Sequence, residues 1–167
     1  DTGFIVFNDR NYPSFRGFLD NLEVTSVKTD MSFSHLDQEN NIGYAGSVRG
    51  LTPSISKILS LQHWLRIKGI HSYSKTLASF KEDGLLPNTT IGGFLRELGC
   101  PTDIMDNYFI PMASAIWSCD QASAYDIPSQ AFVDFFSNHG LLGFKNRPTW
   151  YAIEGGSRVY LEAFRHA

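Results

Sequence analysis

The apolar positions of the chain change period several times, and each change predicts an element. Residues 1–8, Asp-Thr-Gly-Phe-Ile-Val-Phe-Asn, form an apolar run of strand length. Asn8, Asp9, Arg10 and Asn11 are turn formers, Pro13 suits the first residue of a helix, and Phe15, Phe18, Leu19 and Leu22 recur at helical spacing. From Leu22 to about Tyr44 the pattern alternates instead, with Leu22 and Val24 against Glu23 and Thr25, and Met31 and Phe33 against Ser32 and Ser34. Two or three antiparallel strands fit, with residues 37–41 as a hairpin loop.

Helical spacing returns at Thr52-Pro53. It runs through Ile55, Ile58, Leu59, Leu61 and Leu65 and continues, with a break expected near Gly69, to about Phe80. His63 and Trp64 on this helix read as packing residues. Asn88-Thr89-Thr90 caps a short helix bearing Ile91, Phe94, Leu95 and Leu98, which Gly99 stops. Thr102 is expected to cap the next, with Ile104, Met105, Tyr108 and Phe109, and Pro111 to kink or restart it before Met112–Ser118. Pro128 opens a helix with Ala131, Phe132, Phe135 and Phe136 on its apolar face, ending at His139-Gly140. Pro148–Ile153 reads as a strand, Glu154-Gly155-Gly156 as a tight turn, and Ser157 as the cap of a last helix with Tyr160, Leu161 and Phe164. The sum is an α+β fold, an antiparallel sheet with a helical subdomain, in a single domain spanning residues 1–167.

Composition narrows the function more than the fold. At 167 residues, 43% hydrophobic and 19% charged, the chain is of a size and polarity to bury a real core. A formal charge of -3 and the lack of a Lys/Arg run argue against nucleic-acid binding. No apolar stretch approaches the roughly 20 residues of a membrane helix. Cys100 and Cys119 are too few for a disulfide scaffold and suit reduced thiols in a cytoplasmic protein. No two of the five histidines have metal-ligand spacing, so no metal is expected. The aromatic share of 14% suggests a core or pocket walled by rings.

Residue chemistry supplies no catalytic centre. The glycines at 43, 46 and 50 lack both the dinucleotide spacing and a following Lys-Ser/Thr, and Gly156-Ser157-Arg158 is no nucleophile elbow. Asp103 and Asp106 read as a solvated face near a helix start. Cys119 has no histidine near it in sequence, which favours a structural thiol. Gly3 is either a strand-entry kink or a place where backbone closely approaches a flat ligand. Small residues interspersed with large ones in 112–118 suit close approach to a helix or to a planar ligand. The Gly155-Gly156 turn is either an ordinary connection or a set of backbone N–H groups turned toward an anion or ring.

Four stretches taken together give a resemblance. Residues 1–8, Asp30-Met31-Ser32-Phe33-Ser34, Pro111-Met112-Ala113-Ser114-Ala115-Ile116-Trp117-Ser118, and Asn138-His139-Gly140-Leu141-Leu142 with Gly155-Gly156-Ser157-Arg158 resemble, in order, the flavin-containing amine oxidase superfamily. The nearest branch is the bacterial group of NAD/FAD-binding oxidoreductases. The resemblance covers nearly the whole chain.

What it implies is a substrate domain inserted into a split nucleotide-binding fold, lacking the Gly-rich unit that would hold most of the FAD. The chain opens on an internal strand without an initiator methionine, so it is expected to be a piece of a larger protein, inactive alone. By the resemblance, Thr2, Gly3, Phe4 and Ile5 match a strand that passes the flavin ring, and Gly155 and Gly156 a turn near the cofactor. Ala115, Ile116 and Trp117 match a segment bordering the substrate cavity, and Trp150 is placed there with them. Implied partners are FAD, a small apolar substrate and the FAD-binding domain of the same parent chain; the catalytic residues stay unassigned. Flavin would carry the hydride chemistry, which accounts for the lack of an acid/base pair. The alternative is a self-standing module that binds an apolar ligand or a protein partner without flavin.

Overall fold

The computed structural model describes residues 6–29, 34–37, 42–45, 60–143 and 147–167. The chain is α+β and divides into two compact units, Asp1–Met31 with Lys145–Ala167, and Ser32–Phe144.

The first unit is built on a three-stranded antiparallel sheet of order β1-β5-β2, with β1 Val6–Asn8, β2 Ser26–Thr29 and β5 Trp150–Ile153. Val6 lies opposite Ala152 and Phe7 opposite Tyr151, while Val27 faces Ala152 from the other side. The central strand is thus the one furthest along the chain. Helix α1, Pro13–Asn21, begins at the expected proline. The last helix, Arg158–His166, carries Tyr160 and Phe164 onto the rings of α1, with Tyr160 5.7 Å from Phe15 and Phe164 5.8 Å from Phe18. Phe7, Leu19 and Ile153 are the buried centre of this small aromatic core. Ser157 stands just before that helix, as expected, but its side chain makes no capping bond and its backbone is already helical.

Asn8 is fully buried, its Oδ1 accepting from the backbone N–H groups of Arg10 (3.1 Å) and Asn11 (2.8 Å). That bond pattern builds the turn between β1 and α1. Its Nδ2 is the one buried side-chain polar atom without a hydrogen-bond partner among the described residues.

The second unit pairs a hairpin, β3 Ser34–Asp37 with β4 Ile42–Ala45, with a helical cluster. Helix α2, Leu61–Glu82, is followed by α3 Ile91–Glu97, α4 Thr102–Ile104, a π-helical turn Met105–Phe109, α5 Ile110–Trp117, α6 Gln121–Tyr125 and α7 Ser129–Asn138. The final helix, Arg158–His166, is then α8. Leu77, Ile91, Leu95, Phe109, Ile110, Phe132, Val133 and Phe136 are completely buried in one cluster. Each contributes on the order of 2 kcal/mol through apolar area withdrawn from water. The start of α3 is tied to the start of α7 by Ile91 N–H to Ile127 O (2.8 Å), Ser129 N–H to Thr89 O (2.8 Å) and the Ser129 hydroxyl to Pro87 O (2.6 Å).

Several expectations need correction. The helix expected to break near Gly69 runs through it unbroken. A Cβ at Gly69 would come 2.4 Å from Ile104 Cδ1, so the glycine permits close packing against α4 and does not end the helix. Thr102 is the first residue of α4, with Pro101 in the cap position. Pro111 does stand in the first turn of a restarted helix, α5; what the sequence did not foretell is that the turn before it widens, Ile110 N–H bonding back to Met105 O, five residues away. Ala131 lies exposed, the buried positions of α7 being Ser129, Phe132, Val133 and Phe136. Helix α6, capped by Asp120 bonding to Ser123 N–H (2.8 Å), was not foreseen. The expected helical stretch 52–59 lies outside the described residues.

Candidate functional site

The expected site residues fall into both units. In the first, Thr2, Gly3, Phe4 and Ile5 lie outside the described residues, and β1 begins at Val6. Trp150 opens β5 and is half-buried, opposite Asn8 on one side and Thr29 on the other. Tyr151 and Ile153 point to the face packed by α1 and α8, so Trp150 and Ala152 occupy the opposite face by strand alternation. Gly155 and Gly156 form the turn between β5 and α8, and both are left-handed, at φ 82° and 88°. Consecutive residues in that region disfavour any side chain, which explains the pair. A Cβ at Gly155 would also meet Val159 Cγ2 at 2.9 Å. The turn therefore presents bare backbone. It can admit a flat group, although Val159 already gives an internal reason for the first glycine.

In the second unit, Ala115, Ile116 and Trp117 occupy the last turn of α5. Ala115 is exposed, whereas Ile116 and Trp117 are half-buried against the main core. Trp117 lies nearly parallel to Phe132, centroids 6.4 Å apart, and 5.1 Å from Phe135. Its ring is thus part of a wall of aromatics along α7. Helix α5 ends at Ser118, a left-handed non-glycine at φ 51°, and the Ser114 hydroxyl closes this end by donating to Cys119 O.

The other quoted stretches have local roles. His139 caps α7, its Nδ1 2.8 Å from Phe135 O and its ring stacked on Phe135 at 3.9 Å. Gly140 then turns left-handed, at φ 68°, and Leu141 N–H returns to Phe136 O at 2.7 Å. Asn138-His139-Gly140-Leu141-Leu142 is therefore a helix stop whose Leu142 re-enters the core. Of Asp30–Ser34, only Ser34, the first residue of β3, is described.

Polar groups come together in two places that spacing alone did not join. Arg66 of α2 binds Asp103 in a two-pronged pair (2.8 and 2.9 Å), and Asn107 Nδ2 donates to the backbone oxygen of Asp103 at 2.9 Å. Tyr125 donates its hydroxyl to Asp106, with the Arg96 guanidinium 5.0 Å over the tyrosine ring. Burial, then the Asp106 carboxylate, pushes Tyr125 up to about 12. Asp103 and Asp106 thus serve as anchors for the π-helical turn and are not an acid/base pair. Burial likewise pushes the Cys100 thiol up to about 12, which removes it as a thiolate nucleophile at neutral pH.

An open groove of about 290 Å³ runs beside the C-terminal half of α2, lined by Lys75, Thr76, Ser79, Phe80, Asp83 and Leu85. None of the expected substrate residues lines it. Among the described residues no helix is long and apolar enough to cross a membrane. No protein-family model matches the chain, and no curated protein matches it at significant similarity.

Proposed function

We propose that this chain is the substrate-binding portion of an FAD-dependent oxidoreductase of the amine oxidase type, in which an apolar substrate yields a hydride to flavin. The observation that carries this reading is the ordered set of four motif stretches spread over nearly the whole sequence. One of them has a geometry in keeping with this reading: between strand β5 and helix α8 stand two consecutive left-handed glycines that carry no side chain. Thr2, Gly3, Phe4 and Ile5 on the approach to β1, with Gly155 and Gly156, are the residues that would lie against the cofactor. When bound, FAD supplies the hydride acceptor. The chain's own residues orient the substrate and keep water from it: by the resemblance, Ala115, Ile116 and Trp117 of the second unit are its candidate contacts, and Trp150 of the first unit is a separate one. The rest of the FAD site belongs to the cofactor-binding domain of the same parent chain, so the 167 residues are inactive by themselves. A cytoplasmic setting goes with this reading, since both cysteines are free thiols.

A second reading, a self-standing module that binds an apolar ligand or partner without flavin, is favoured by one observation. Val159 alone suffices to exclude a side chain at Gly155.

Visible absorption separates the two. The protein from the complete reading frame is expected to show flavin bands, and the 167-residue chain none. A colourless complete protein that also fails to bind added FAD overturns the oxidoreductase reading and leaves the binding module.

A further inference from the structure

Helix α2 turns one stripe of its surface outward, and that stripe is apolar at its N-terminal end and basic further along. Leu61, Trp64, Lys68, Ser72 and Lys75 follow one another at three- and four-residue steps on a single face, with Leu65 four residues after Leu61 on the same side. Leu61 is 75% exposed, Leu65 58% and Trp64 46%. His63, Ile70, Ser74 and Leu77 on the opposite face are buried, so the helix is already anchored through its other side. Three large apolar residues at one end of an anchored helix are more than the scattered exposure of an ordinary surface.

The charges on this helix are all of one sign until its last turn. Between Leu61 and Lys81 it has no Asp or Glu. Arg66 is held by Asp103 at 2.8 Å and Lys81 by Asp134 at 3.0 Å. Lys68 and Lys75 are exposed and make no ion pair among the described residues. With a rise of 1.5 Å per residue, Lys68 stands about 10 Å and Lys75 about 20 Å along the helix from Leu61. The chain as a whole has a charge of -3, so this basic stripe is a local feature.

We propose that this face of α2 docks on an anionic phospholipid surface. Leu61, Trp64 and Leu65, at one end of the helix, enter the boundary between headgroups and acyl chains. Lys68 and Lys75 remain at the level of the lipid phosphates. Tryptophan is enriched at that boundary, where its ring is apolar and its N–H reaches water. Lysine in line with the apolar residues fits a membrane better than a protein partner, because interface cores are depleted of lysine. The proposal concerns attachment to a surface and is independent of the flavin reading.

The test is cosedimentation of the 167-residue chain with vesicles of phosphatidylcholine alone, or of phosphatidylcholine mixed with phosphatidylglycerol. Binding to the mixed vesicles, weakened by high salt, is expected. The triple variant Leu61→Ser, Trp64→Ser, Leu65→Ser alters only exposed positions and should keep the helical circular dichroism while losing at least about tenfold in partitioning. Lys68→Gln and Lys75→Gln should each cost about fivefold on mixed vesicles. Leu161→Ser, exposed on α8, serves as control and should bind as the parent does. Failure of the parent chain to sediment, equal binding by the triple variant, or an equal loss in Leu161→Ser overturns the proposal. So does a dimer that the triple variant converts to monomer without any vesicle binding, since a second copy would then occupy the stripe.

Discussion

Tyr125, the last residue of α6, donates its hydroxyl to the carboxylate of Asp106 in the π-helical turn, a contact between residues 19 apart in sequence. It joins the π-helical turn to the short helix that follows α5. Burial and the Asp106 charge hold the phenol protonated up to about 12, against an ordinary value of 10.0. The folded chain therefore keeps a proton that the unfolded chain releases between those two values. Stability from this group is complete below pH 10 and is lost as pH climbs toward 12. Tyr125→Phe should cost about 1 kcal/mol at neutral pH, through the missing hydrogen bond. It should also make the alkaline fall in urea midpoint shallower. A variant with the same alkaline slope as the parent would mean that this contact does not control the tyrosine.

Two glycines in contact with side chains should respond differently to alanine. At Gly69 the new methyl meets only Ile104 Cδ1 (2.4 Å), the end of a flexible side chain, and alanine favours the helix by roughly 1 kcal/mol. At Gly92 it meets Tyr125 Cδ1 at 2.4 Å and the Tyr125 backbone oxygen at 3.0 Å. Backbone cannot rotate away. Gly92→Ala is expected to destabilise by about 1–3 kcal/mol and Gly69→Ala by less than about 1 kcal/mol. Thermal unfolding of the pair would refute this if Gly69→Ala proved the more damaging.

The two thiols should also differ. Cys100 is buried, and burial holds its thiol protonated to about 12, whereas Cys119 is partly exposed. Iodoacetamide at neutral pH should modify Cys119 alone in the native chain and both residues in denaturant. Mass spectrometry of tryptic peptides reads the result. Early labelling of Cys100 would show that the core around it opens readily.

Local chemistry made much of this legible. Pro13, Thr90 and Pro128 mark helix starts through properties of their own backbone or side chain, and Gly99 and Gly140 mark stops because only glycine turns left-handed there without strain. Strand β5 was legible as a strand. Its place between β1 and β2 was not, because pairing over more than a hundred residues leaves no local pattern. The apolar period of α2 was equally ambiguous. Leu61, Trp64 and Leu65 repeat at the same interval as a buried stripe, yet the core takes the face of Ile70 and Leu77. The widened turn before Pro111 and the meeting of Asp106 with Tyr125, 19 residues apart, likewise have no local sequence pattern. Of the candidate site, the left-handed glycine pair followed from its sequence, while the exposure of Ala115 did not.

Glu23 offers the last prediction, because it occupies a position that usually belongs to glycine. Its φ is 56°, just past the end of α1, where Glu23 N–H bonds to Asp20 O (3.1 Å) and Val24 N–H to Leu19 O (3.0 Å). Those two bonds define a helix stop in which the residue after the cap must turn left-handed. A side chain there costs about 1–2 kcal/mol in steric strain. Glycine removes the strain but loses more freedom on folding, by roughly 0.5–1 kcal/mol. Glu23→Gly should therefore raise stability by about 0.5 kcal/mol, and Glu23→Val, branched beside the backbone, should lower it by at least about 1 kcal/mol. Urea midpoints order the three chains as Gly above Glu above Val. A Gly variant less stable than the parent would show that the Glu23 side chain makes a compensating contribution larger than its strain.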